Sequence, residues 1–190
     1  MDTDQVFTLF SDFNCPFCYA LHERLHELHL LNRCAWQGVQ HAPHLPIPMK
    51  PWQGSLGAGL RHEVSVVRGI APELPLQLPA GKSNTANAIA IAAEILKSDG
   101  QAGMIVVRKI YQAFWVEGRD ISNQEILSAL IGSMRSQKSD STGKGIADKW
   151  AAEWAATGQA GVPLIVAPAG DMLIGCVPAE TIKRFFPDQA

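Results

Sequence analysis

The sequence predicts an α/β protein: a β-α-β unit, a block of helices, then a closing α-β-β-α segment. Three observations carry that expectation. An apolar run at 6–10 leads through the turn Ser11-Asp12-Phe13-Asn14 into a helical pattern, and a short, partly alternating run follows at 35–40. Strand, helix and strand in so little chain make a β-α-β unit with parallel strands, because the helix supplies the crossover. The middle of the chain then carries helical patterns, and two short apolar runs at 164–167 and 172–175 flank Pro168-Ala169-Gly170-Asp171, a hairpin.

The first helix, about 15–31, places Leu21, Leu25 and Leu28 on one core-facing stripe before Asn32 and Arg33 end it. Between 41 and 79 seven prolines mark loops on either side of a helix at 56–68. Helices follow at 83–97 and 102–116, the second with Met104, Val107, Tyr111 and Phe114 along one face. Ser122-Asn123-Gln124-Glu125 reads as a capping box, with Ile121 and Ile126 as its hydrophobic staple. A polar, flexible stretch at 136–145 precedes a helix at 146–157, where Trp150 and Trp154 lie one turn apart and Gly158 is the C-cap. A short helix at 180–186 ends the pattern. The organisation implied is one domain from 1–40 and 144–190, interrupted by a helical insertion at 41–143.

Composition bounds the function. With 190 residues, 47% hydrophobic and 18% charged, the chain buries a real core as a single domain with an insertion. A formal charge of −2 gives no reason to expect nucleic acid or an anionic membrane as partner. No basic segment followed by an apolar one precedes Val6, and no apolar stretch approaches a membrane span. The expected location is the cytoplasm, where a C-x-x-C is more often catalytic than structural.

That motif is Asn14-Cys15-Pro16-Phe17-Cys18-Tyr19. A strand that delivers two cysteines to a helix N-terminus makes the first of them reactive. The unpaired backbone N–H groups and the positive end of the helix dipole stabilise its thiolate. Pro16 fits the first turn, where its missing N–H costs nothing. Cys15 is therefore expected to be exposed, acidic and attacking. Cys18, nearly a turn further in, is the shielded thiol that resolves the mixed disulfide. The chain has no second C-x-x-C to complete a structural zinc site.

With the C-x-x-C ending a first strand and Gly161-Val162-Pro163 opening the hairpin, the chain resembles the thioredoxin fold. Its helical block makes it similar to the DsbA family, and within it to the FrnE-like and 2-hydroxychromene-2-carboxylate isomerase branch. The marks are Ser11-Asp12 before the cysteine motif, Ala113-Phe114 through Glu117-Gly118-Arg119-Asp120-Ile121, and Gly161-Val162-Pro163. The resemblance implies that Pro163 follows a cis bond and faces the cysteines. The Val162 backbone would then pair with an extended substrate segment. The dipeptide here is Pro-Phe, whereas the strongly oxidising members carry Pro-His. Phe17 adds neither charge nor hydrogen bond to the thiolate, so a less oxidising disulfide is expected.

Other candidates are weaker. His22-Glu23-Arg24-Leu25-His26 matches H-E-x-x-H, with His29 one turn on, but its helix is committed to the core and the cysteine pair. These histidines are expected on a partly solvated stripe, open to adventitious metal. Gly81-Lys82-Ser83 fails as a P-loop, because Leu76 stands where that pattern needs glycine. Asp12 is either a proton acceptor for Cys18 or a turn residue. Cys34 falls at the opposite end of the sheet from Cys15, as a small buried residue, while Cys176 is brought back to the rim of Cys15, as packing or as an auxiliary thiol.

The reading is a dithiol–disulfide oxidoreductase acting through Cys15 and Cys18. Val162 and Pro163 shape the substrate groove, with Pro16 and Phe17 at its edge. Its substrate is a protein, peptide or glutathione thiol or disulfide. It needs no cofactor beyond that external thiol or disulfide, glutathione included as a co-substrate. Two rivals stand: a glutathione-dependent isomerase or kappa-class transferase, which typically has serine where Cys15 stands, and a non-catalytic metal-binding module using Cys15, Cys18 and His22.

Overall fold

β1 (Phe7–Ser11) is buried over most of its length, as befits a strand with neighbours on both sides. It pairs in parallel with β2 (Cys34–Gly38), setting Phe7 opposite Cys34 and Ser11 opposite Gly38. On its other flank it runs antiparallel to β3 (Leu164–Val166), which pairs antiparallel with β4 (Met172–Ile174). The order β2-β1-β3-β4 brings the closing hairpin against the first strand, the layout of the thioredoxin fold. The computed structural model describes residues 6–132 and 142–186.

α1 (Pro16–Glu27) buries Leu21 and Leu25 completely, but it stops short of the expected residue 31. The Leu30 N–H reaches back to the Leu25 carbonyl (2.9 Å) and the His29 N–H to that of His26 (3.0 Å). This paired pattern is a left-handed cap, and His29 takes the positive φ of 57° that glycine usually supplies. A 3-10 turn, Leu31–Arg33, then leads into β2. With no glycine to mark the stop, the apolar periodicity alone carried the expected helix too far.

Among the described residues five more helices follow before the hairpin, α2 (Ser55–Ile70), α3 (Ala86–Ser98), α4 (Gly100–Trp115), α5 (Gln124–Ile131) and α6 (Thr142–Ala156), and a sixth, α7 (Ala179–Phe185), comes after it. Helix starts differ from expectation by one to four residues, and at three of them the structure shows why. α3 begins at Ala86 because Ser83 and Asn84 are engaged elsewhere, the Asn84 side chain accepting from Ala86 N–H (3.1 Å) and from Gln40 (2.7 Å). α5 is capped by Asn123, whose side chain accepts from the N–H groups of Glu125 (2.8 Å) and Ile126 (3.4 Å). Ser122 is not the cap, since its hydroxyl is drawn to Asp120 (2.7 Å).

α6 starts within the stretch expected to be flexible, of which 136–141 lie outside the described residues. Gly143 shows why. A Cβ there would collide with the Ala90 carbonyl, so this glycine lets α6 approach α3 rather than loosening the chain. Gly143→Ala is expected to lose about 1–3 kcal/mol of stability to overpacking, although alanine is the better helix former. Urea denaturation that shows equal or greater stability would mean the contact is not tight.

The helical block and the sheet share one core. The Phe13 ring lies 5.0 Å from Trp36 of β2 and 4.9 Å, edge-on, from Tyr111 of α4. No helix among the described residues is long and apolar enough to cross a membrane.

Candidate active site

The turn after β1 is fixed at every residue. Ser11 Oγ and Tyr111 Oη share a 2.6 Å hydrogen bond, Trp115 Nε1 donates to the Phe13 carbonyl (2.8 Å), and Asn14 Nδ2 donates to the Ser83 carbonyl (2.8 Å). All four turn and strand-end residues, Ser11 to Asn14, are wholly buried. The turn therefore delivers Cys15 as the N-cap of α1 in extended conformation (φ −102°, ψ 119°), with Pro16 in the first turn.

Cys15 packs against the opening of the hairpin. The Val162–Pro163 bond is cis, and the Cys15 thiol lies 3.6 Å from the Val162 carbonyl oxygen. Pro16 and Pro163 are buried, while Val162 and Phe17 are half-buried. Cys15 is not the exposed thiol expected, being only 6% exposed because the hairpin opening packs over it; Cys18 is 1% exposed.

The two thiols have opposite acidities. The Cys18 thiol's hydrogen bond is the main influence lowering the Cys15 pKa, and it prevails over burial with help from the Cys18 N–H and from His41. Burial, then the adjacent Cys15, pushes Cys18 well above the ordinary thiol range. The Asp12 N–H points at the Cys18 sulfur (3.4 Å).

His41 was not foreseen. Asp12 Oδ2 accepts from both the His41 backbone N–H (2.9 Å) and its Nδ1 (2.7 Å), and His41 Nε2 faces Lys82 Nζ at 3.0 Å. A carboxylate only accepts, so Nδ1 carries hydrogen. The charge at His41 favours the Cys15 thiolate, and that of Asp12 opposes it. The fold explains it: the parallel ladder continues past β2, with Val39 N–H bonded to the Ser11 carbonyl (2.9 Å), so the next residues pass Asp12.

Gly81-Lys82-Ser83 thus serves as a platform for the cysteine turn. Ser83 Oγ also donates to Asp120 (2.8 Å), which accepts from the Met49 N–H (2.9 Å) as well. Burial opposes ionisation of Asp120, but hydrogen bonds from Ser122, Met49 and Ser83 hold its carboxyl below the usual range.

The H-E-x-x-H residues are committed elsewhere. His22 is fully buried, contrary to the solvated stripe expected, whereas His26 and His29 are exposed. Its Nδ1 lies 3.3 Å from Glu23, whose carboxylate also holds Arg108 at 2.8 to 3.2 Å. Among the described residues no three His, Cys, Asp or Glu are placed to hold a metal. Cys34 donates to the Leu30 carbonyl (3.4 Å), and burial pushes its thiol up to about 12. Cys176 sits half-buried within electrostatic reach of Cys15. Arg24 lies 3.4 Å from its sulfur, and burial still raises its pKa.

The DSBA-like thioredoxin domain family model matches residues 6–186. A probable DsbA oxidoreductase from Streptomyces coelicolor superimposes with a TM-score of 0.76 at 17% identity, over 95% of this chain and 88% of that one. A 2-hydroxychromene-2-carboxylate isomerase gives 0.67 at 17%, over 95% and 92%. The cytosolic disulfide reductase DsbM of Pseudomonas aeruginosa, solved with GSH, gives 0.58 at 17%, over 84% of each chain. At these identities the likeness shows the fold. No curated protein sequence matches the chain.

Proposed function

We propose, for a chain that belongs to the DSBA-like thioredoxin domain family, a thiol–disulfide oxidoreductase in which Cys15 attacks and Cys18 resolves. The observation that carries this reading is the geometry of the pair: Cys15 caps α1 against the Val162 carbonyl before the cis Pro163, and Cys18 lies buried one turn behind it.

The Cys15 thiolate attacks one sulfur of a substrate disulfide, and the substrate's other sulfur leaves as a thiolate. Cys18 then gives up its proton and attacks the Cys15 sulfur, releasing the second substrate thiolate. The substrate gains two electrons and the pair becomes a disulfide, which an external dithiol, or glutathione in two exchanges, reduces again. Asp12 Oδ1, buried without a hydrogen-bond partner among the described residues, offers an acceptor for the Cys18 proton within the same turn. Val162 and Pro163 form the substrate-facing wall, with Pro16 and Phe17 at its edge. Protein, peptide and glutathione disulfides in the cytoplasm are the substrate class. The intact cysteine pair weighs against the isomerase and transferase rival.

Alkylation of the reduced protein across pH, read residue by residue by mass, tests the role assignment. Cys15 should react with an inflection below the ordinary thiol value of 9.0, and Cys18 should stay unreactive beyond it. In His41→Phe, which also leaves the Asp12 carboxylate unpaired, the Cys15 inflection should rise. Cys18 reacting first would reverse the roles, and an unmoved inflection in His41→Phe would remove His41 from the site.

A further inference from the structure

A cavity of about 1250 Å³ opens between α1, β2, α3, α4 and α6, and none of the residues of the cysteine site line it. Its α1 wall is formed by His22 and His26, which at 1.5 Å per residue lie about 10 to 16 Å along the helix from Cys15. The volume exceeds the ordinary range of small-molecule sites, roughly 300–1,000 Å³.

The lining has two textures. Trp36, Leu96, Met104, Ile105 and Trp150 give it an apolar body, and Ile105 is 49% exposed, much for a residue of that size. Around them stand His26, Lys97, Arg108, Lys109 and Lys149, and among the described residues no aspartate or glutamate lines the cavity. Arg108 is taken by Glu23 and Lys149 lies 3.5 Å from Glu153. Lys97 and Lys109, both exposed, make no ion pair among the described residues. The wall also holds two buried acceptors without hydrogen-bond partners among the described residues, His22 Nε2 and Gln37 Oε1. His22 is wholly buried, and because its Nδ1 faces the Glu23 carboxylate, Nε2 presents a lone pair. Such orphaned acceptors are costly unless a donor reaches them.

We propose that this cavity is a binding site for an amphipathic organic anion: an aromatic or acyl body seated among Trp36, Met104 and Trp150, with its anionic head at Lys97 and Lys109. A hydroxyl or amide donor on the body would satisfy the orphaned acceptors. Apolar burial supplies affinity, and the unpaired lysines select the charge. The site is independent of the thiol chemistry, so either can fail without the other.

The test uses two probes that share one ring framework, anionic 8-anilino-1-naphthalenesulfonate and neutral N-phenyl-1-naphthylamine, titrated into the folded protein at neutral pH. The anionic probe should saturate at one per chain, at least tenfold tighter than the neutral one, and be excited by energy transfer from tryptophan. Dodecanoate should displace it, and dodecanol should not at the same concentration. Lys97→Gln with Lys109→Gln, two exposed positions that leave the core untouched, should weaken the anionic probe about tenfold and the neutral probe little. Equal binding of both probes, absence of saturation, or unchanged affinity in the double variant would each overturn the proposal.

Discussion

Replacing Cys15 with serine should abolish disulfide exchange, by at least about a thousandfold, while Cys18→Ser should fail differently. A serine hydroxyl at the N-cap keeps the helix start, since serine is a favoured cap, so stability should hold. What disappears is the thiolate, the species that attacks. Cys18→Ser keeps that attack but removes the thiol that resolves it. It should accumulate a mixed disulfide on Cys15, seen as an added substrate mass that excess thiol reverses. Cys18→Ala also removes the hydrogen bond that does most to make Cys15 acidic, so its attack should slow at neutral pH. Equal loss in both variants, with no trapped adduct, would contradict the division of labour. Cys176→Ser, by contrast, should leave exchange unchanged, because that thiol is held protonated by burial.

The second large effect falls on stability. Burial alone would raise the Glu23 pKa, but hydrogen bonds from His22 and Arg108 outweigh it and bring the carboxyl from 4.5 to about 2. A carboxyl depressed on folding stabilises the native state fully above its unfolded value, and loses that contribution as pH falls through its folded value. The protein should therefore lose stability between about pH 4.5 and pH 2. Arg108→Met should cost about 2 kcal/mol at pH 7, at the lower side for breaking a buried pair because the Arg108 side chain is 37% exposed. The gap to the unsubstituted protein should close as Glu23 becomes protonated in both. Urea titrations at pH 7, 5 and 3 decide it, and a gap that stays constant across them would mean the ion pair is not its source.

Much of the fold was legible because its signals are local. The apolar run at 6–10, the Leu21 and Leu25 stripe and the turn between 167 and 172 each announce their element within a few residues. The misread boundaries are those where a side chain is recruited from far away. Ser122 has the composition of a cap, yet Asp120 captures it, and Asp120 itself gathers Met49 and Ser83. His29 ends α1 in a conformation its residue type rarely adopts. Gly143 resembled a flexible linker and is a close-packing residue.

The candidate site divides the same way. Cys15, Cys18, Val162 and Pro163 were named from motif and resemblance, and the fold brings them together at one helix mouth. His41 and Lys82 belong to no motif. The register of two strands brings His41 to Asp12 beside the cysteine turn, and the loop before α3 brings Lys82 to His41, a placement set by tertiary packing. The same packing buried Cys15 more deeply than its N-cap position suggests.

Cys15 and Cys18 should form one reversible redox pair, tuned less oxidising than a Pro-His site. Equilibration with glutathione buffers of known ratio, followed by alkylation and mass counting of free Cys15 and Cys18, tests it directly. A single two-electron transition is predicted, with a potential nearer about −270 mV, as in thioredoxin, than about −120 mV, as in a strong oxidant. If no Cys15–Cys18 disulfide forms at any ratio, the two thiols are not a redox pair.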